Sequence, residues 1–131
     1  MRKMLMALSL PLAFGLAGCS EAEDKAAALV GDYDLIAIEG VTVSGKPTFS
    51  LAADGAVSGQ GPCNNYMGKN RATLPALDLG ALATTRRACI QEGGENAFFD
   101  ALAAVREARR EGDELIMTGP EVTIRWRAVS R

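Results

Sequence analysis

Histidine is absent from the 131 residues. No Ser-His-Asp or Cys-His arrangement can form. Imidazole is missing both as a base near neutral pH and as a metal ligand. Zinc usually takes four ligands, so a pair of cysteines with no histidine to join it makes a poor metal site. No metal and no cofactor is expected. No stretch beyond the N-terminus approaches the ~20 apolar residues that a membrane-spanning helix needs. Positive charge is not in excess: the formal net charge is −2. It becomes more negative if Arg2 and Lys3 leave with a leader. A clustered basic surface for nucleic acid is therefore not expected, nor is electrostatic binding to a membrane. There is no internal repeat. Gly45-Lys46 lacks the glycine-rich run of a phosphate loop. Asp32, Asp34, Glu39 and Asp78 are the acids available for a carboxylate pair, but nothing in the sequence brings two together, and a solvated face accounts for them. The expectation is a protein that is not an enzyme, with a carboxylate-pair hydrolase as the weakest of the alternatives.

What is present begins at the N-terminus. Arg2 and Lys3 form a positive start, and Met4 to Phe14 an apolar stretch too short to cross a bilayer as a stable helix. Ala17 and Gly18 are small residues that fit a peptidase subsite. Together these read as a secretory signal. The end of this segment, Leu16-Ala17-Gly18-Cys19, resembles the lipobox of bacterial lipoprotein precursors. That resemblance implies a diacylated thiol on Cys19, cleavage before it and acylation of the new N-terminus. An ordinary signal peptide or short anchor with an incidental cysteine is the alternative. Burying acyl chains is worth ~0.8 kcal/mol per CH₂, and one chain alone holds only marginally. Two or three chains on one cysteine would keep the protein on a membrane while the folded part stays in water. The first expected partner is thus the membrane, through lipid on Cys19. Ser20, rather than Asp, follows the cysteine, and by resemblance to enterobacterial sorting this favours the outer membrane, facing the periplasm. The expected organisation is a lipoprotein signal peptide over 1–18, a lipidated tether over 19–28 and one domain over 29–131. The tether is polar, acidic and alanine-rich, and a frayed helix there would change little.

With Cys19 used by lipid, Cys63 and Cys89 remain. An even remainder in an oxidising compartment suggests a disulfide. Two buried free thiols are the alternative.

The pattern after Leu29 is mostly strand-like. Tyr33–Glu39 reads as a first strand with apolar residues on both faces. Pro47–Ala52 and Ala56–Gly59 flank Asp54-Gly55, a hairpin signal in which both turn residues are expected at positive φ. Phe49 and Leu51 would face the core and Ser50 would face out. Gly59 to Asn65 is rich in glycine, proline and asparagine and reads as irregular. Tyr66–Thr73 reads as extended again, Leu74–Leu82 as a short strand plus a loop, and Ala83–Cys89 as a strand disturbed by two arginines. Glu95–Arg106 is the one clear helix, with a stripe of Phe98, Leu102 and Val105 that needs a sheet to cover it. Leu115–Met117 and Val122–Ala128 form a closing hairpin. In its last strand Val122, Ile124, Trp126 and Ala128 share one face, and Thr123, Arg125 and Arg127 the other. The fold class is α+β: a small antiparallel, curved, open-barrel-like sheet with one main helix packed on it.

Several pieces in this order resemble the META domain family, which includes HslJ-like lipoproteins. They are Phe49-Ser50-Leu51 with Asp54-Gly55, then Val57-Ser58-Gly59, then Cys63-Asn64-Asn65-Tyr66-Met67-Gly68, then Leu82-Ala83-Thr84-Thr85-Arg86-Arg87-Ala88-Cys89, then the helix with Phe98 and Leu102, followed by Gly112-Asp113-Glu114-Leu115-Ile116-Met117. The similarity runs from Val30 to Ala128. Tyr33, Pro62, Arg87 and Ile90 depart from the residues usual in the family. The resemblance implies a small open barrel closed by a helix and brings no enzymatic activity. It implies loose links to envelope stress, antibiotic tolerance and secretion. It also implies a comparison with pilotin-type lipoproteins, which hold acyl chains or partner peptides.

Four residues are candidates for ligand or partner contact. Asn64 and Asn65 offer side-chain amides, against the alternative that they build the turn. Arg86 and Arg87 offer an anion site, against the alternative that one lies along the sheet and the other meets solvent or an acid. The leading functional expectation is a non-catalytic envelope lipoprotein whose domain contacts an envelope protein. The alternative is a pilotin-like domain binding lipid or a small hydrophobic ligand in the mouth of the sheet, in a cavity lined by residues such as Phe49, Leu51, Met117 and Trp126.

Overall fold

The computed structural model describes residues 9–11, 18–89 and 93–131. Most of the expected signal peptide lies outside the described residues. The chain folds as helix α1 (Gly18–Leu29), strands β1 (Gly31–Ile38), β2 (Thr48–Leu51), β3 (Ala56–Gln60), β4 (Asn65–Lys69) and β5 (Ala83–Thr84), helix α2 (Glu95–Ala104), and strands β6 (Glu107–Glu111), β7 (Glu114–Gly119) and β8 (Val122–Val129). The strands form one antiparallel sheet in the order β5-β4-β3-β2-β1-β8-β7-β6. The chain thus builds a meander outward from β1, then returns to the other side of β1 with β8.

β1 is the centre, with Tyr33 opposite Phe49 on one side and Ala128 on the other. A register shift between Leu35 and Ala37 bends it against β8, and such bulges raise the local curvature of a sheet. The β2–β3 turn differs from the expected one. Gly55 alone takes a positive φ, 89°, and Asp54 instead accepts the Ala56 N–H at 2.9 Å. The extra turn residue is absorbed by Ala52, whose N–H reaches the Ala56 carbonyl at 2.9 Å.

The concave face is filled by aromatic rings. Phe49 stands 5.5 Å from Trp126, Trp126 stands 6.2 Å from Phe98, and Phe98 stands 6.0 Å from Tyr66. α2 brings its expected stripe to this face: Phe98, Leu102 and Val105 are fully buried. The helix ends at Ala104, two residues earlier than expected, because Val105 turns to extended backbone. β8 alternates as read from the sequence, with Ile124 and Trp126 buried and Arg125 and Arg127 exposed.

Two further parts of the fold go beyond the sequence reading. The segment Glu107–Glu111, unassigned in the sequence reading between the helix and the closing hairpin, is a strand and pairs with β7 through all five residues. The expected tether is helix α1, and its end is fixed to the sheet. Leu29 is buried, its carbonyl accepts the Tyr33 hydroxyl at 2.7 Å, and the Arg110 guanidinium donates to the Ala28 carbonyl at 3.0 Å.

The two ends of the sheet are treated differently. At β6 the loop after β4 folds across the edge: Leu77 N–H bonds the Arg106 carbonyl at 2.7 Å and Ala108 N–H bonds the Pro75 carbonyl at 2.9 Å. This stretch, expected as a strand plus a loop, makes only an isolated bridge from Ala76 to Glu107. Buried Asn70 holds the loop in shape, donating to the Ala76 carbonyl at 3.0 Å and accepting the Asp78 N–H at 2.8 Å. At the other end, β5 has no strand beyond it among the described residues.

Candidate functional site

The residues singled out in sequence converge at one place. The bend after β3 carries Cys63 and Asn64, β4 begins at Asn65, and the continuation of β5 carries Thr85, Arg86, Arg87 and Cys89. A disulfide joins Cys63 to Cys89, with their Cα atoms 6.2 Å apart.

Asn64 is the hub. It is buried, so each of its polar atoms needs a partner. Its side-chain oxygen accepts the Arg87 N–H at 2.6 Å and the Thr85 hydroxyl at 3.0 Å. Its amide nitrogen donates to Glu95 Oε2 at 2.9 Å. Glu95 Oε1 accepts the backbone N–H groups of Asn64 at 2.6 Å and Cys63 at 3.2 Å. Arg87 returns a bond to the Cys63 carbonyl at 3.1 Å. Thr85 and Asn65 exchange two more: Thr85 N–H to the Asn65 carbonyl at 2.9 Å, and Asn65 N–H to the Thr85 hydroxyl at 3.1 Å. The amide of Asn64 is thus engaged inside the protein, as a turn-building residue. Arg86, Arg87 and Asn65 lie at the surface.

Glu95 was not among the sequence candidates. It opens α2, where a carboxylate is favoured by the N–H groups of the first turn, and it reaches back 31 residues to Asn64. Gly94 makes this approach feasible. It sits at φ 80°, and a Cβ there would meet the Thr42 carbonyl at 2.5 Å, so the loop before α2 lies tight on the loop after β1.

The four residues expected to line a mouth cavity do not stand around one. Phe49, Leu51, Met117 and Trp126 are all buried in the core. Phe49 packs on Trp126, and the Trp126 ring N–H points to the Met117 sulfur at 3.3 Å. A shallow groove of about 380 Å³ lies elsewhere, between α1 and β6, lined by residues that include Lys25, Leu29, Pro75, Arg109 and Arg110. Three of the four acids weighed as a carboxylate pair are separately engaged, and Glu39 makes no side-chain hydrogen bond or ion pair among the described residues. Asp32 accepts the Ser50 hydroxyl at 2.6 Å, Asp34 pairs with Arg131, and Asp78 accepts the Gly80 N–H at 3.2 Å.

Two tyrosines are held protonated by their surroundings. Burial pushes the Tyr66 hydroxyl far above its ordinary range, and the hydroxyl donates to the Thr48 carbonyl at 2.6 Å. Burial also raises Tyr33, against the opposing pull of the Arg110 guanidinium 3.1 Å away.

The family model of the META domain matches residues 27–129. No functionally curated protein matches the chain. Two solved structures share its fold. One is an NMR structure of a protein from Burkholderia xenovorans, 20% identical, with all of both chains covered and a TM-score of 0.60. The other is an NMR structure of a protein 18% identical over 76% of this chain and 90% of that one, with a TM-score of 0.59.

Proposed function

The chain belongs to the META domain family, and on that premise we propose that it is a non-catalytic, lipid-anchored protein of the bacterial cell envelope whose folded domain contacts another envelope component. The observation that carries this reading is the pairing of Cys63 with Cys89. Such a bond persists in oxidising compartments. It accounts for two of the three cysteines, and the third is Cys19, at the end of the lipobox-like run.

The docked helix adds to this reading. α1 starts at Gly18 and ends on the sheet at Leu29. At 1.5 Å per residue a helix of this length spans roughly 15–18 Å. An acylated Cys19 would hold the domain close to the bilayer rather than on a long leash. The core is closed by side chains, and the candidate polar residues are committed to structure or displayed at the surface. Both features suit a module that presents a surface, not one that turns over a substrate.

Fractionation of cells expressing the wild type and Cys19→Ser tests the proposal. The wild type is expected in the membrane fraction. Cys19→Ser, with any uncleaved precursor scored apart by its mass, is expected in the soluble fraction with the Cys63–Cys89 bond still formed. Identical distribution of the two forms would contradict the anchor.

A further inference from the structure

The two ends of the sheet pose a question that the fold alone does not answer. Unpaired strand edges invite pairing with other chains, and proteins usually cover or blunt them. The β6 edge is covered by Pro75–Leu77. The β5 edge is uncovered among the described residues. Strand β5 itself is Ala83–Thr84, and hydrogen bonds carry its alignment along the sheet on through Thr85 and Arg87. Thr85 and Arg87 both turn their N–H groups inward, to the Asn65 carbonyl and the Asn64 side chain. Main-chain groups alternate along an extended strand. Thr84, Arg86 and Ala88 therefore direct theirs outward, and Thr84 to Ala88 is exposed throughout. The Asn64–Glu95 network fixes the middle of this segment, and the disulfide ties down its end.

The edge also carries charge of one sign. Arg86 and Arg87 stand together in a run, Leu82 to Cys89, that contains no acid, on a chain whose net charge is negative. Among the described residues neither arginine takes part in a salt bridge, a state they share with Arg71, Arg106 and Arg110, and Arg86 and Arg87 stand side by side on the exposed edge.

We propose that the outward edge of β5 and its continuation, Thr84 to Ala88, is a docking strand that adds an extended, acidic peptide segment of a partner protein to the sheet. The proposal rests on the reading that the domain contacts a partner and gives that contact a place and a chemistry. Main-chain hydrogen bonds to Thr84, Arg86 and Ala88 supply affinity, and carboxylates meeting Arg86 supply selectivity. Because the strand is held in its bound shape beforehand, little ordering remains to be done on binding. A second copy of this chain is a poor occupant, because it would set arginine against arginine.

The test uses the oxidised full chain in detergent and two synthetic probes, Ac-EVTVEVTVE-amide and its lysine counterpart Ac-KVTVKVTVK-amide. NMR-detected hydrogen exchange should show the amides of Thr84, Arg86 and Ala88 slowed at least tenfold by the acidic peptide and not by the basic one. Arg86→Glu, a surface change that leaves the disulfide and the core in place, should reverse the preference. No protection, equal protection by both peptides, protection at β6 or α1 instead, or protection that grows with protein concentration without peptide would each overturn the proposal. Membrane fractionation and the acyl mass on Cys19 are read separately, so a failed docking strand leaves the anchor result standing.

Discussion

Glu95 grips Asn64 twice, accepting its backbone N–H at 2.6 Å through Oε1 and its side-chain amide at 2.9 Å through Oε2. These bonds join the start of α2 to the bend before β4. Hydrogen bonds to a charged group contribute about 1.5–3 kcal/mol. Glu95→Ala should therefore destabilise the domain by about 2–3 kcal/mol in urea unfolding, and Glu95→Gln by less, since the amide keeps one acceptor. Unchanged stability in Glu95→Ala would show that the contact is idle.

The disulfide closes a separation of 26 residues. The chain-entropy account assigns ~3–4 kcal/mol to a loop of that size. A Cys63→Ser, Cys89→Ser double variant should lose about that much stability. Reduction of the wild type should produce the same shift in the denaturant midpoint. A double variant as stable as the oxidised protein would remove the bond from the account of stability.

Gly59 faces Tyr66 across β3 and β4. A Cβ at position 59 would clash with the Thr48 carbonyl and come within 2.5 Å of the Tyr66 hydroxyl. Backbone lies on one side and a buried ring on the other, so neither can give way freely. Gly59→Ala should destabilise by about 1–3 kcal/mol, as overpacking does, and thermal unfolding measures it. The same change at Gly112, where a Cβ meets nothing within 4 Å but φ is 61°, should cost about 1 kcal/mol through backbone strain alone.

Tyr66 gives a pH dependence with a definite sign. Its folded pKa is raised by burial, while the unfolded value is about 10. Below pH 10 the phenol is protonated in both states and the hydroxyl bond is fully present. Above pH 10 the unfolded chain releases this proton and the folded one does not, so stability falls as pH rises. Each such group contributes a slope approaching about 1.4 kcal/mol per pH unit. Tyr66→Phe should cost about 1 kcal/mol near neutral pH, then lose stability less steeply than the wild type between pH 10 and 11.5. Parallel curves would show that Tyr66 ionises freely in the folded state.

Much of the sheet was legible because its signals are local. Asp54-Gly55 marks a hairpin, the alternation from Val122 to Ala128 marks a half-buried strand, and Phe98, Leu102 and Val105 mark a helix face. β6 was not legible. Glu107-Ala108-Arg109-Arg110-Glu111 carries four charges around one buried alanine, a composition that favours helix, and only its pairing with β7 makes it a strand. The docking of α1 was equally hidden. Arg110 reaches the Ala28 carbonyl from 82 positions away, and no local pattern announces such a contact. The candidate site was half visible. Cysteine arithmetic pointed to Cys63 and Cys89, and asparagine chemistry pointed to Asn64 as a turn residue. The acid that completes the cluster, Glu95, belongs to a helix whose sequence explains it without any partner.

The central claim is that fatty chains on Cys19 hold this closed, non-catalytic domain at a membrane. Intact-mass and peptide mass spectrometry of the protein extracted from bacterial membranes tests it most directly. The account predicts an N-terminal peptide that begins at Cys19 and carries two or three acyl chains. A protein recovered from the soluble fraction, with residues 1–18 still attached or with an unmodified thiol at Cys19, would contradict it.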